Sequence, residues 1–318
     1  MPEIFKQPLH GPNGTKVREE KIRYMAYNKL KSLENNISAI ETALTVLSQK
    51  RKATPKERET LSLYSGFGGI KEMLNIGTNK PVPQNMAELV SRLQSALRSH
   101  SAENPELYDT LLDSIKTSVL TAFYTPAFII DTVARQIQAT FNAHGLSMKA
   151  FLEPSAGIGG FLPVAMSGTK SYAFEKDILT GLILSLLNEN AETYTEGFET
   201  ICEQGLEHKS FDVIASNIPF GNFRVFDADM WKKGGVYEQS TKAIHNYFFI
   251  KAMQLLNEGG LLAFVTSRGI ADTPGNKFVR EYLVNNSNLV SAVRLPDNIF
   301  MQTCLLYTSP SPRDLSTS

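Results

Sequence analysis

A glycine-rich turn and three acidic residues carry the first sign of chemistry. The stretch Phe151-Leu152-Glu153-Pro154-Ser155-Ala156-Gly157-Ile158-Gly159-Gly160-Phe161 closes a short apolar run. Glycines there permit a tight turn and let a ligand approach the backbone. A helix expected behind them offers free N–H groups in its first turn. Phosphate and dinucleotide sites use similar loops, but Glu153 would repel a pyrophosphate. Its carboxylate suits an ammonium group instead, directly or through water. No Gly-Lys-Ser/Thr follows, which excludes a nucleoside-triphosphate loop. Glu175, in Ala173-Phe-Glu-Lys-Asp177, stands about 20 residues on, where a carboxylate can grip ribose hydroxyls. Phe198 or Glu199, in Glu196-Gly-Phe-Glu199, is placed to touch an adenine ring by its face or amino group. Glu199 also fits a plain helix start.

These residues need strand ends to hold them. From residue 121 short apolar runs alternate with helical segments. The predicted strands are Ala150–Leu152, Ser171–Phe174, Glu192–Thr195, Phe211–Ala215, Leu261–Thr266 and Leu289–Leu295, and the predicted helices between them cover 158–167, 177–189, 240–257 and 275–286. Such alternation argues an α/β fold, a parallel sheet with helices on both faces and right-handed crossovers. Ligands then bind beyond the carboxyl ends of the strands. Thr125-Pro126 is expected to cap and open a helix over Ala127–Phe141. Residues 1–120 are predicted mostly helical. Apolar residues from Ile22 to Leu47 recur at helical steps across 16–50, Thr54-Pro55 opens a second helix, and a third region runs from 83 to 120 with a break near 101–105.

Bulk properties narrow the class. The chain has 318 residues, 42% of them hydrophobic, and zero formal net charge, so no global basic signature marks it as a nucleic-acid binder. Residues 1–60 do carry twelve Lys/Arg against seven Asp/Glu, which fits a solvated helix face or phosphate contacts. Two cysteines, Cys202 and Cys304, lack metal-ligand spacing. A disulfide framework is not expected, and a cytoplasmic location is the default. No apolar run nears the ~20 residues of a membrane span, and the N-terminus lacks a signal-peptide core.

Ser216-Asn217-Ile218-Pro219-Phe220-Gly221 ends the fourth predicted strand. It is similar to Asn-Pro-Pro-Phe, a loop that closes around an amino group to be methylated, with Ile218 where the first proline would stand. Phe123-Tyr124-Thr125-Pro126, the loop from Glu153 to Phe161, Glu175, and Asn217–Phe220 follow the order used by gamma-class adenine-N6 DNA methyltransferases. Residues 246–269 look like their next helix and fifth strand, and the resemblance covers about 121–300. More narrowly, the chain resembles the methylase portion of large methylase–helicase polypeptides of conjugative elements and phages. Leu63–Leu74 and Val293–Thr303 share that likeness.

The resemblance implies a Rossmann-like sheet that uses S-adenosylmethionine and acts on DNA without a metal. Tyr124, Thr125 and Pro126 would line the methionine end. Glu153, Pro154 and the loop Gly157, Gly159, Gly160 would hold its amino acid part, and Glu175 the ribose. The Asn217 side-chain oxygen and the carbonyl of residue 218 would draw the hydrogens of the target amino group out of plane. Phe220 would stack on a base pulled from its duplex. Ile218 keeps the carbonyl and prefers extended dihedrals before Pro219, so activity is compatible with it. A degenerate methylase and an unrelated turn stay open. So do action on RNA or protein glutamine, and a catalytically silent DNA-binding or antirestriction module.

Ser65–Ile70, with its Gly-x-Gly-Gly, follows a charged helical stretch and no apolar strand, so a structural or interdomain role is expected. The loop 222–239 interleaves aromatics with Arg224, Lys232 and Lys233; it suits DNA contact or a plain surface. His245 is expected to cap or pack. Residues 304–318 resemble translated vector sequence and are expected to be a non-native tail behind a core over 121–303. The final antiparallel strand of such sheets would then be missing, leaving an open edge and poor solubility.

Overall fold

The computed structural model describes residues 28–206, 210–221 and 223–296. The described chain opens with α1 (Lys29–Ser48), α2 (Pro55–Ser62), α3 (Gln84–His100) and α4 (Pro105–Thr121). Residues 16–27 of the first expected helix lie outside the described residues. Asn28 caps α1 by accepting from Lys31 N at 3.0 Å. The Thr54-Pro55 signal holds at α2: Thr54 Oγ1 accepts from Glu57 N (3.3 Å) while Glu57 Oε2 accepts from Thr54 N (2.8 Å).

Then come α5 (Ala127–Ala143), β1 (Ala150–Glu153), β2 (Lys170–Phe174), α6 (Ile178–Leu187), β3 (Glu192–Tyr194), β4 (Phe211–Asn217), α7 (Ala228–Lys233), α8 (Gly235–Ser240), α9 (Ile244–Leu255), β5 (Leu256–Val265), α10 (Gly269–Asp272) and α11 (Lys277–Asn286). The strands form one parallel sheet in the order β3-β2-β1-β4-β5. The chain runs outward from β1 through β2 to β3, then returns to the other side of β1. The order reverses between β1 and β4, the switch point where open parallel sheets take ligands. Glu153 and Asn217 are the last residues of those two strands.

The apolar runs become strands because both faces are covered. On one face Ala134, Ile137 and Phe141 of α5 pack with Phe151, Val213 and Ala215. On the other, Leu152, Tyr172, Phe174 and Ile214 cluster with Tyr247, Ile250 and Leu255 of α9 and Val279 of α11. The α1–α4 helices share a single hydrophobic cluster with α6: Leu33, Ile37 and Ile40 of α1, Leu93 and Leu97 of α3, Leu111 and Ile115 of α4, and Leu179 and Ile183 of α6. Each such buried aliphatic side chain contributes about 1.5–3 kcal/mol, so this helical layer is fastened to the sheet region through α6.

Four sequence expectations are corrected. No helix forms over 158–167, where only a 3-10 turn at Leu162–Val164 appears; Gly159, Gly160 and Pro163 are poor helix formers. Thr125 does not cap α5. Pro126 is extended (φ −56°, ψ 137°) and is itself the N-cap, with no side-chain bond. The expected helix over 240–257 is split at 241–243 between α8 and α9. Leu289–Leu295 forms no strand, and Leu289, Val290 and Val293 are exposed. A strand needs a neighbour, and among the described residues nothing pairs with the outer edge of β5. The tail 304–318 and Cys304 lie outside the described residues. No described helix is long and apolar enough to cross a membrane.

Candidate active site

Glu153 is 1% exposed at the end of β1. Its Oε1 accepts from Phe161 N at 3.0 Å, while its buried Oε2 has no partner. Burial pushes its carboxyl well above the usual range, against the pull of the Phe161 and Leu162 N–H groups. Pro154 is buried beside it. Glu175 follows β2 and accepts from Gly157 N (Oε2, 2.8 Å) and Asp177 N (Oε1, 2.8 Å). Burial raises its carboxyl to about 7 despite those bonds. The glycine-rich turn is therefore stitched to two carboxylates rather than presenting its N–H groups at a helix start. Ala156 N donates to Phe174 O (2.8 Å), and Ser216 Oγ to Ser155 O (2.8 Å), which bind the turn to β2 and β4.

Tyr124 lies against this turn. A Cβ on Gly157 would sit 2.9 Å from the Tyr124 ring, so only glycine admits the contact. Burial, then Tyr64 and the Glu175 and Asp177 carboxylates, hold the Tyr124 hydroxyl well above its usual range. Thr125 Oγ1 is buried without a partner, as is Thr266 Oγ1 just past β5. Three unsatisfied buried oxygens thus belong to strand ends or to the segment beside them. Glu72 Oε2, Ser101 Oγ, Tyr108 OH and Asn246 Oδ1 also lack partners elsewhere, but only these three gather at or beside the carboxyl ends of strands, where a polar ligand would satisfy them.

At the end of β4, Asn217 Nδ2 donates to Phe123 O at 2.7 Å. Among the described residues nothing donates to Asn217 Oδ1 or to the Ile218 carbonyl. Ile218 N donates to Val265 O at 3.1 Å, and its side chain is 1% exposed in the core. A proline there would lack that N–H. Pro219 is half-buried. Phe220 stacks on Phe123, with centroids 6.2 Å apart and planes at 21°. Phe123 therefore holds the loop twice, by carbonyl and by ring.

His245 packs under the loop. Its Nδ1 lies 3.2 Å from Gly221 O and its Nε2 3.1 Å from Asn276 Nδ2, and burial lowers its pKa. Asp177 caps α6 and accepts from Ser114 Oγ of α4 (2.6 Å). Phe198 is 1% exposed and sits in the core against Phe174, Tyr247 and Phe248. Of the pair expected at an adenine, Glu199 is the accessible one, ion-paired to Lys176 at 2.5 Å. Phe123 and Asp177 stood inside the sequence motifs without a role of their own. Phe123 acts through a backbone carbonyl, which no residue type advertises. Asp177 was legible as a helix cap before Ile178. Among the described residues no group of three or more His, Cys, Asp or Glu could hold a metal ion.

Residues 146–300 match the Eco57I restriction-modification methylase family. "Defense against restriction protein B" of Escherichia phage P1 is 26% identical over 181 residues, 56% of this chain and 8% of the phage protein. The chain thus spans a small part of that relative's length. Among solved structures, a putative class I S-adenosylmethionine-dependent methyltransferase from Listeria monocytogenes aligns at 15% identity with a TM-score of 0.44, covering 79% of this chain and 78% of that one. A type I restriction-modification methyltransferase subunit from Streptococcus thermophilus aligns at 12% identity with a TM-score of 0.43, covering 82% and 75%. The matched stretch, residues 146–300, carries all five strands and the loops at their ends and is similar to that methylase family.

Proposed function

We propose that the chain transfers a methyl group from S-adenosylmethionine to the N6 amino group of adenine in DNA. The observation that carries this reading is Asn217, whose Nδ2 is tied to Phe123 O while Oδ1 stays free beside the free Ile218 carbonyl. An adenine amino group is a poor nucleophile because its lone pair is delocalised into the ring. Two fixed acceptors that take its two hydrogens localise that lone pair. They also stabilise the positive charge that develops on nitrogen in the transition state. Phe220 offers a stacking face for the extruded base.

The unpartnered Glu153 Oε2 suits the ammonium of an amino acid, and Pro154, the Gly157, Gly159, Gly160 turn, Tyr124, Thr125 and Pro126 would complete the pocket for its amino acid part. Glu175 suits ribose hydroxyls and Glu199 an adenine amino group. S-adenosylmethionine held there supplies the electrophilic methyl. The chain's share is to align the amino nitrogen with it and to keep water out. Beyond the loop, Phe223, Phe226 and Trp231 are exposed next to Arg224 and Lys232 in sequence, a composition that suits DNA.

The test is transfer of tritiated methyl to DNA lacking N6-methyladenine, with the product nucleosides identified by mass spectrometry. Asn217→Ala is expected to reduce transfer at least ~100-fold while leaving S-adenosylmethionine binding, followed by calorimetry, within about twofold. Full transfer by Asn217→Ala would sink the site assignment. Cofactor binding with label on RNA or protein glutamine alone would move the substrate, and DNA binding without transfer would favour the silent module.

A further inference from the structure

We propose that the Ser65–Gly69 loop is a positioning device for Asn217, with Asn36 as its anchor, so that the α1–α4 layer sets the geometry of the catalytic loop. This rests on the methyl-transfer reading above. Asn36 is fully buried on α1. Its Nδ2 donates to Gly66 O at 2.5 Å and its Oδ1 accepts from Ser65 N at 2.8 Å. From the α4 side, Ser118 Oγ accepts from Phe67 N at 3.0 Å, and Phe67 and Ile70 are wholly buried. The loop is clamped between two helices.

Its glycines face the chain that leads into the site. A Cβ on Gly66 would lie 2.4 Å from Ala122 Cβ, and one on Gly68 2.0 Å from Ala122 O. Ala122 is the residue before Phe123, whose carbonyl holds Asn217 Nδ2 and whose ring holds Phe220. The contacts run unbroken from Asn36 through Gly66 and Ala122 to Phe123 and Asn217. An amide tied through its N–H to one carbonyl points its oxygen according to where that carbonyl lies. Moving Ala122 and Phe123 turns the acceptor oxygen that the amino group needs. A filler loop would matter for stability alone; this one is expected to matter for turnover.

The experiment uses the full chain, tritiated S-adenosylmethionine and DNA lacking N6-methyladenine. It reads kcat, the KM for DNA, cofactor affinity by calorimetry and melting by circular dichroism. Gly66→Ala is expected to lower kcat about 10–100-fold, the scale of a misplacement near 1 Å, with the KM for DNA within about twofold. Adding Ala122→Gly removes the nearest atom that the new methyl strikes and leaves the milder approach to Ser118 Oγ at 3.0 Å. That pair is expected to recover kcat to within about threefold of the parent. Its melting temperature should stay depressed, because an alanine at Gly66's φ of +65° is strained in both variants. Recovery of turnover without recovery of stability supports positioning. Unchanged kcat in folded Gly66→Ala, or kcat that tracks melting in both variants, overturns it. If Gly66→Ala does not fold, Ser118→Ala serves. It removes only the hydroxyl that accepts from Phe67 N, and a kcat loss of at least about threefold at unchanged cofactor affinity is the supporting result; no loss overturns the proposal. No transfer by the unsubstituted chain overturns the functional reading and this inference together, whereas transfer insensitive to these variants overturns the inference alone.

Discussion

Ile218 resolves the oddity in the loop proposed to be catalytic. The carbonyl that the proposed methyl transfer needs is present in any residue, and isoleucine adds what proline cannot, an N–H bonded to Val265 O. Ile218→Pro would therefore remove one backbone hydrogen bond, worth about 1 kcal/mol, and most of a buried aliphatic side chain, about 1.5–3 kcal/mol. We expect the variant closer to the Asn-Pro-Pro-Phe pattern to melt lower in urea titrations, with methyl transfer at folded concentrations within about tenfold of the parent. A stabilised variant would contradict this account of the loop. Glu175 makes a pH prediction. Its folded pKa of about 7 lies above the unfolded range, so the folded protein binds the extra proton. The stability this group contributes is fully present below the ordinary carboxylate range of about 4.3 and is lost as pH rises through about 7. Glu175→Gln, which cannot ionise, should gain melting temperature relative to the parent as pH rises from 5 to 8. A constant difference across that window would show that the carboxyl is already ionised.

At the scale of elements, α7 is held by a buried node. Asp227 caps it by accepting from Met230 N (3.0 Å) and also takes Tyr247 OH (2.8 Å) and Lys251 Nζ (2.9 Å) from α9. Burial drives this carboxyl up, but the Met230 N–H, Lys251 and Tyr247 outweigh it and hold its pKa below the usual range. Both side chains of the ion pair are 3% exposed. Removing one partner strands the other, so Asp227→Ala is expected to destabilise by about 3–5 kcal/mol. Asp227→Leu with Lys251→Met should lie much nearer the parent. Denaturant unfolding of the three proteins decides it; equal losses in single and double variants would mean that the pair is not what secures α7. The same scale shows why 158–167 misled. Its apolar spacing suits a helix, but Gly159, Gly160 and Pro163 do not, and Glu153 and Glu175 take the N–H groups of Phe161 and Gly157.

At the scale of the molecule, the described sheet is covered on its faces and open at β5. Val284, Leu289, Val290 and Val293 are 76–83% exposed in and after α11. Exposed apolar runs and open strand edges invite association. Sedimentation velocity of the 318-residue chain is expected to show concentration-dependent association that Val290→Lys with Val293→Lys reduces, without a change in thermal melting. A monomer at every concentration would refute this. The predicted strand at 289–295 failed for the reason its residues could not reveal. Its short apolar run was strand-like, but strand formation is decided by a partner.

The amino-acid sequence by itself determined the alternation of strands and helices, the placement of Glu153, Glu175 and Asn217 at strand ends, and the capping box of α2. These are local matters of periodicity and turn chemistry, readable within a few residues. It did not determine what the Ser65–Gly69 loop touches, that Phe123 holds Asn217, or that Ile218 bonds to Val265. Those contacts join residues 94 apart for Phe123 and Asn217, 47 apart for Ile218 and Val265, and 29 to 56 apart for the glycine loop, mostly through backbone carbonyls and amides that every residue carries alike. Only the tertiary structure, by bringing β4 beside β5 and α4 beside the glycine loop, could select which carbonyl meets which donor.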